Sequence, residues 1–266
     1  FRTSSNLAAA YGVAVTMTML ITTILFYFAA RYLWKWSVFK ALPLCLVFGI
    51  IELAFLTANL LKFFDGGWLP IAVAVVRFIL MATWATVRRL VITRLEDSSI
   101  TQEMLIESLS QHPPIFVPGT AIFMTSSRGR TPVALLHNLK HNQVVHAQNL
   151  IVGVNMANTP YVEDEDRVEV MPINDRFTRI NLIFGYMEET NVPKALAQAR
   201  RMGVKYDIMA TSFFLNRRSF KPGRKQGLPV WQEKLFLSMT RSAADATSFY
   251  RLPVNRVIEL GQQMVI

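Results

Sequence analysis

The chain has 266 residues, is 52% hydrophobic and only 17% charged, and carries a net charge of +10; this excludes a disordered chain, which needs low hydrophobicity and high charge. A single cysteine, Cys45, excludes a disulfide scaffold and any multi-cysteine metal site. Such a charge, taken alone, points to nucleic acid or an anionic membrane surface, but residues 1–95 hold nine Lys/Arg against two acids, a net +7, and residues 96–266 only a net +3, too little to argue for nucleic acid.

Three long apolar runs occupy the first half. Residues 7–30 carry no charge, residues 41–61 carry only Glu52, and residues 68–87 carry only Arg77. About 20 mostly apolar residues in a helix cross a bilayer core of about 30 Å. Buried helices of a soluble protein rarely stay apolar on every face for this long. The run 7–30 also lacks the basic start and short length of a signal peptide. Arg31, Lys35 and Lys40 follow the first run, and Arg88, Arg89 and Arg94 follow the third, whereas Lys62 is offset by Asp65 between the second and third. Three successive crossings would alternate in this way, with the 31–40 loop and everything after residue 88 in the cytoplasm. Trp34, Trp36, Trp68 and Trp84 stand near span ends, as an aromatic belt requires.

From residue 96 on, helical and strand-like patterns interleave. Spacing predicts helices over 96–110, 132–140, 190–202 and 231–241, and strands over 115–125, 150–155, 167–171, 178–186, 207–215 and 256–266. Residues 163–166 and 221–227 read as loops. The expected fold is therefore a membrane α-helical region, residues 1–95, followed by an α/β domain with a mixed sheet, residues 96–266. No GxxxxGK[ST], GxGxxG or GxSxG signature follows a strand, so nothing indicates a bound nucleotide, a cofactor or hydrolase chemistry.

Several stretches together resemble the Kup family of potassium uptake transporters. These are SNLAAAYGVAVT at 5–16 with TMLITT at 18–23, FLTANLLK at 55–62, and GGWLP at 66–70. PGT at 118–120, HNLKHN at 137–142 followed by His146, and NRVIELG at 255–261 complete the set. The resemblance implies helices ten to twelve of a transporter built like the amino acid–polyamine–cation (APC/LeuT-like) carriers, followed by its cytoplasmic domain. It further implies inward transport of K+ together with H+ across the inner membrane by alternating access. The earlier helices of the same protein would then be partners of this chain, most of the midplane ion site would lie in them, and a homodimer is a candidate assembly. The alternative reading is a membrane-anchored α/β module that binds a regulatory ligand and transports nothing; the DNA upstream of residue 1 would separate the two.

Individual residues sharpen these expectations. Glu52 and Arg77 are 13 residues before and 12 after Asp65. Antiparallel helices would bring them to similar depth, and intramembrane charges need partners, so a buried Glu52–Arg77 ion pair is expected, with missing helices as the other possible neighbours or Arg77 snorkelling to an interface. The family more often has Asp at the first position and is not known to be basic at the second. Tyr11, Thr16 and Thr18 are ion-path candidates because hydroxyls can replace the hydration shell of K+; Gly12 and Thr16 also form a small-xxx-small pair suited to close packing. Met17 departs from the family's usual Gly. His137 and His141 share a helix face but lack completing ligands, so no metal is expected. Arg217, Arg218, Lys221, Arg224 and Lys225 form the densest basic run of the second half, suited either to anionic headgroups or to a solvated loop.

Overall fold

The computed structural model describes residues 3–98, 100–125, 129–207, 210–221, 223 and 229–265. The chain divides into two compact units, residues 1–85 and 86–266.

In the first unit, α1 spans Ser4–Tyr32 and α2 spans Val38–Leu60. Thr3 caps α1, its side chain accepting the amide of Asn6 at 3.3 Å. At 1.5 Å per residue, 29 residues reach about 43 Å, longer than the hydrocarbon core. After α2 the chain tightens into a single π-helical turn, Phe63–Gly67, and α3 follows over Trp68–Ser98. All three helices are long and apolar enough to cross a membrane. The faces of α1 and α2 pack along each other and against the π-turn, whereas α3 has no comparable interface with either among the described residues. Ala9, Val13, Thr16 and Ala30 are buried on α1, a recurring small-residue stripe that lets two backbones approach.

The second unit is built around a six-stranded sheet. In chain order its elements are α4 (Gln102–Gln111), β1 (Ile115–Thr125), α5 (Val133–Asn142), β2 (Val144–Met156), β3 (Val168–Pro172) and β4 (Phe177–Phe184). They continue as α6 (Val192–Arg201), β5 (Thr211–Lys221), α7 (Val230–Arg241), the short α8 (Ala246–Phe249) and β6 (Val257–Val265). The strand order is β3-β4-β2-β1-β5-β6, all parallel except β3, which runs antiparallel to β4. The mixed sheet read from the interleaved pattern is therefore observed.

Alternation along the strands divides two cores. Ile122, Leu150, Ile180, Leu182 and Phe213 face Val192, Ala195, Leu196 and Ala199 of α6. On the other side Ala121, Phe123, Val145, Ile151 and Phe214 meet Ala134 and Leu135 of α5 and Leu105 of α4. Parallel strands covered on both sides become apolar at successive positions, which is why 121–124 reads as a continuous run. Phe123 stacks on Phe214 with ring centroids 4.8 Å apart, and burying a side chain of this size stabilises by about 1.5–3 kcal/mol.

Three boundaries differ from the sequence pattern for local reasons. The single helix expected over 96–110 is two: α3 ends at Ser98, and Thr101 restarts the chain as the N-cap of α4 by accepting the amide of Met104. Strand β2 begins at Val144 because Ile115–Val117 of β1 pair with Val144–His146. Strand β5 runs on to Lys221, outliving its four-residue pairing with β1, because β6 pairs with it from Phe213 to Lys221.

Candidate functional site

The polar groups of the membrane region collect where α1 meets α2. Gly12 lies directly beneath Asn59: a Cβ at Gly12 would stand 2.3 Å from the Asn59 Oδ1. Asn59 is held in place by donating Nδ2–H to the carbonyl of Phe55 at 2.9 Å. Below this contact the hydroxyls of α1 turn back on their own helix. Thr16 donates to the carbonyl of Gly12 at 2.8 Å, Thr18 to Ala14 at 2.8 Å and Thr22 to Thr18 at 2.8 Å. Each donor is thereby spent locally, and the oxygens keep lone pairs for other partners.

Thr23 breaks that habit. Its hydroxyl donates across the seam to Glu52 Oε1 at 2.8 Å. Glu52 is buried, and its Oε2 meets no hydrogen-bond partner among the described residues. The expected Glu52–Arg77 ion pair is not formed: Arg77 is exposed on α3 and belongs to none of the described ion pairs. Similar depth is the reason to expect it, but depth places two side chains together only if their helices pack, and among the described residues α3 has no interface with α2 comparable to that of α1.

Of the ion-path candidates, Thr16 is buried, Thr18 is exposed and Tyr11 is 71% exposed, so the described residues do not bring the three hydroxyls together. Residues Thr23 and Asn59 were missed by the sequence reading. A signal existed: Thr23 is seven residues from Thr16, two helical turns along the same face.

In the second unit the structure places Arg217, Arg218 and Lys221 on β5 rather than in a loop; Arg224 and Lys225 lie outside the described residues. Arg217 pairs with Glu259 of β6 at 3.2 Å. Arg218 loses part of its water, which pulls its pKa below the ordinary value, yet a guanidinium stays charged at neutral pH. The rings of His137 and His141 have centroids 5.8 Å apart. His146 packs edge-on against Phe214 at 5.8 Å, and burial lowers its pKa below the ordinary 6.5. No group of three or more metal-ligating side chains occurs among the described residues.

Two further features have no counterpart in the sequence reading. An open cavity of about 510 Å³ lies before the amino end of β5, lined by Thr120 from the middle of β1, Gln148 from the middle of β2, and Arg200, Lys205, Tyr206 and Asp207 among others. At the end of β4, Arg167 forks onto Glu188 at 2.7 and 3.0 Å, and Glu188 also takes the amide of Gly185 at 2.6 Å. The Arg167 hydrogen bonds hold the Glu188 carboxyl down at about 2.

Residues 1–89 match the family described as K+ potassium transporter integral membrane domain, and residues 118–266 match the K+ potassium transporter C-terminal domain. The whole chain is 48% identical to the probable potassium transport system protein Kup 2 of Mesorhizobium japonicum, covering 42% of that protein. It is 46% identical to the probable potassium transport system protein Kup of Caulobacter vibrioides, covering 40% of it, and 44% identical to that of Brucella abortus, covering 41%. The chain thus spans about two fifths of the length of these curated relatives.

Proposed function

The chain belongs to the K+ potassium transporter family, as a membrane protein of the Kup kind, and on that premise we propose that it serves potassium uptake across the inner membrane. In this reading K+ enters together with H+ by alternating access, and residues 96–266 lie in the cytoplasm. α1 contributes to the ion path through Tyr11, Thr16 and Thr18, and earlier helices supply most of the midplane site. The observation that carries the reading is the ordered match of both halves, membrane helices and sheet domain, to the two domains of one transporter family.

The polar seam supports the same reading. A buried carboxylate in a membrane helix is costly and marks function or pairing, and Glu52 takes one cross-helix donor while its other oxygen keeps acceptor capacity. A chimera tests the proposal: residues 1–266 replace the aligned segment of the Mesorhizobium japonicum relative in cells that lack potassium uptake. Growth at low K+ and uptake abolished by a protonophore are the expected outcomes. If the chimera reaches the membrane and the unaltered relative transports while the chimera does not, a membrane-anchored regulatory module replaces the transporter reading.

A further inference from the structure

Strand β5 has two halves with different neighbours. Residues 211–214 sit inside the sheet against β1, whereas residues 215–221 pair only with β6 and form a two-stranded ribbon beyond it. The ribbon ends where Lys221 stands opposite Val265. Arg94, on the last turns of α3, donates Nη1–H to the carbonyl of that same Val265 at 2.9 Å. The third candidate span runs through Phe63–Arg94. Seven residues of helix from Val87 to Arg94 advance about 10 Å, and a headgroup layer is about 5–8 Å deep on each side of the core. The ribbon end is therefore tied to the helix at the depth where headgroups meet water.

The chemistry at this end matches that depth. Arg218 and Lys221 are exposed and belong to none of the described ion pairs. The nearby acids are engaged: Glu259 with Arg217 at 3.2 Å, and buried Glu233 with the amide of Gly223 at 2.7 Å. The Glu233 contact, with Phe220 against Phe236 at 5.3 Å, sets the start of α7 beside the ribbon. That first turn exposes Val230 at 65% and Trp231 at 52%, and Val265 itself is 51% exposed. A tryptophan and valines next to cations that belong to none of the described ion pairs are the composition of a membrane–water interface.

We propose that the end of the β5–β6 ribbon and the first turn of α7 rest on the bilayer and bind anionic phospholipid headgroups. Lys221 and Arg218 meet the phosphates, while Trp231, Val230 and Val265 enter the interfacial layer. The lipid surface is the occupant because the ribbon is already hydrogen-bonded to the end of a membrane span, and because the nearby acids Glu259 and Glu233 are engaged while Arg218 and Lys221 belong to none of the described ion pairs. The inference requires that α3 spans the membrane and holds whether or not the chain moves potassium.

The full chain in nanodiscs tests it. A fluorophore is placed at Ser219→Cys in a Cys45→Ser background, with Glu165→Cys on an exposed turn as the control position. Headgroup-nitroxide lipids serve as the quencher, in purely zwitterionic or phosphatidylglycerol-containing bilayers. Quenching at 219 should exceed that at 165, should grow with anionic lipid, and should fall at 1 M salt, where screening is nearly complete. Replacing Arg218 and Lys221 by Gln should lower the lipid-bound to free ratio by about fivefold per charge. Quenching at 219 no greater than at 165, or equal in the two lipid mixtures, overturns the proposal; both comparisons use the labelled chain with Arg218 and Lys221 in place, so a Gln variant that fails to fold leaves them decisive.

Discussion

The hydroxyl of Thr23 on α1 donates to the carboxylate of Glu52 on α2 at 2.8 Å, the one described side-chain hydrogen bond that joins these two membrane helices. Deleting the donor leaves a buried carboxylate oxygen with one partner fewer, whereas an amide at position 52 keeps an acceptor for the hydroxyl. Interhelical hydrogen bonds in membranes are worth about 0.6 kcal/mol on average and up to about 1.7. Thr23→Val should therefore lower thermal stability in detergent by about 1 kcal/mol, with Glu52→Gln closer to neutral; an equal loss for both would show that the hydrogen bond is not what Glu52 contributes to stability.

Arg77 should be energetically independent of Glu52. Sites without shared partners add to within about 0.3–0.5 kcal/mol. A double-mutant cycle with Glu52→Gln and Arg77→Gln should return an interaction energy inside that range in thermal unfolding of the full chain. A coupling well above it would restore the ion pair that the structure lacks.

Gly12 should tolerate no side chain while Asn59 stays in place. The Cβ of Gly12→Ala would overlap the Asn59 carboxamide, which is held by its bond to Phe55, and forcing extra volume into a packed contact costs about 1–3 kcal/mol. Asn59→Ala clears the space, so the double variant should recover most of the stability lost by Gly12→Ala alone. Additive losses in the detergent melt would contradict the contact.

Acid should loosen the turn after β4 before the rest of the sheet domain. Glu188 has a pKa of about 2 against an ordinary 4.5. The folded state therefore gains from its ionised form at all pH above about 5, and that gain drains away as pH falls from about 4.5 towards 2. Hydrogen exchange of peptides covering 185–192, corrected for intrinsic rates, should speed up across this window. Glu188→Gln should remove the dependence and cost about 1–3 kcal/mol by leaving Arg167 with Asp164, at 3.3 Å, as its remaining described carboxylate.

The same turn predicts a steric failure. A Cβ on Gly185 would stand 2.1 Å from the carbonyl oxygen of Pro160, a backbone atom that no rotamer change moves aside. Gly185→Ala should destabilise the sheet domain by about 3 kcal/mol, read as a drop in its unfolding midpoint; a midpoint unchanged would mean that the 160–161 segment shifts freely.

The sequence carried the broad plan well because that plan is written in composition and period. Charge-free runs mark spans irrespective of packing, and the interleaving of helical and strand-like spacing after residue 96 marks a mixed sheet. What it could not carry was the choice of partners. Glu52 and Arg77 were matched by counting from Asp65, but which helix face meets which depends on the π-turn at Phe63–Gly67, a local winding that residue counting does not see. The Thr23–Glu52 bond was half legible, since Thr16 and Thr23 share a face, and the fork of Arg167 on Glu188 was not, since 21 residues separate them. Strand β5 was read short because its outer half is sustained only by β6, more than 40 positions later.

That long wait for a partner bears on synthesis. Strand β1 is central, and residues Thr120–Phe123 of its edge pair with Thr211–Phe214, so nearly 90 residues must be made before that edge closes. β2 protects the other side soon after α5, but Thr120–Phe123 keep an open hydrogen-bonding edge until β5 has been made, after β4 and α6. Pairings of such sequence separation slow folding and leave strand edges available to other chains. During synthesis a chain paused between β4 and β5 therefore holds a half-built sheet with an open edge on β1, and the time taken to pass residues 185–214 is time for which that edge lacks its partner.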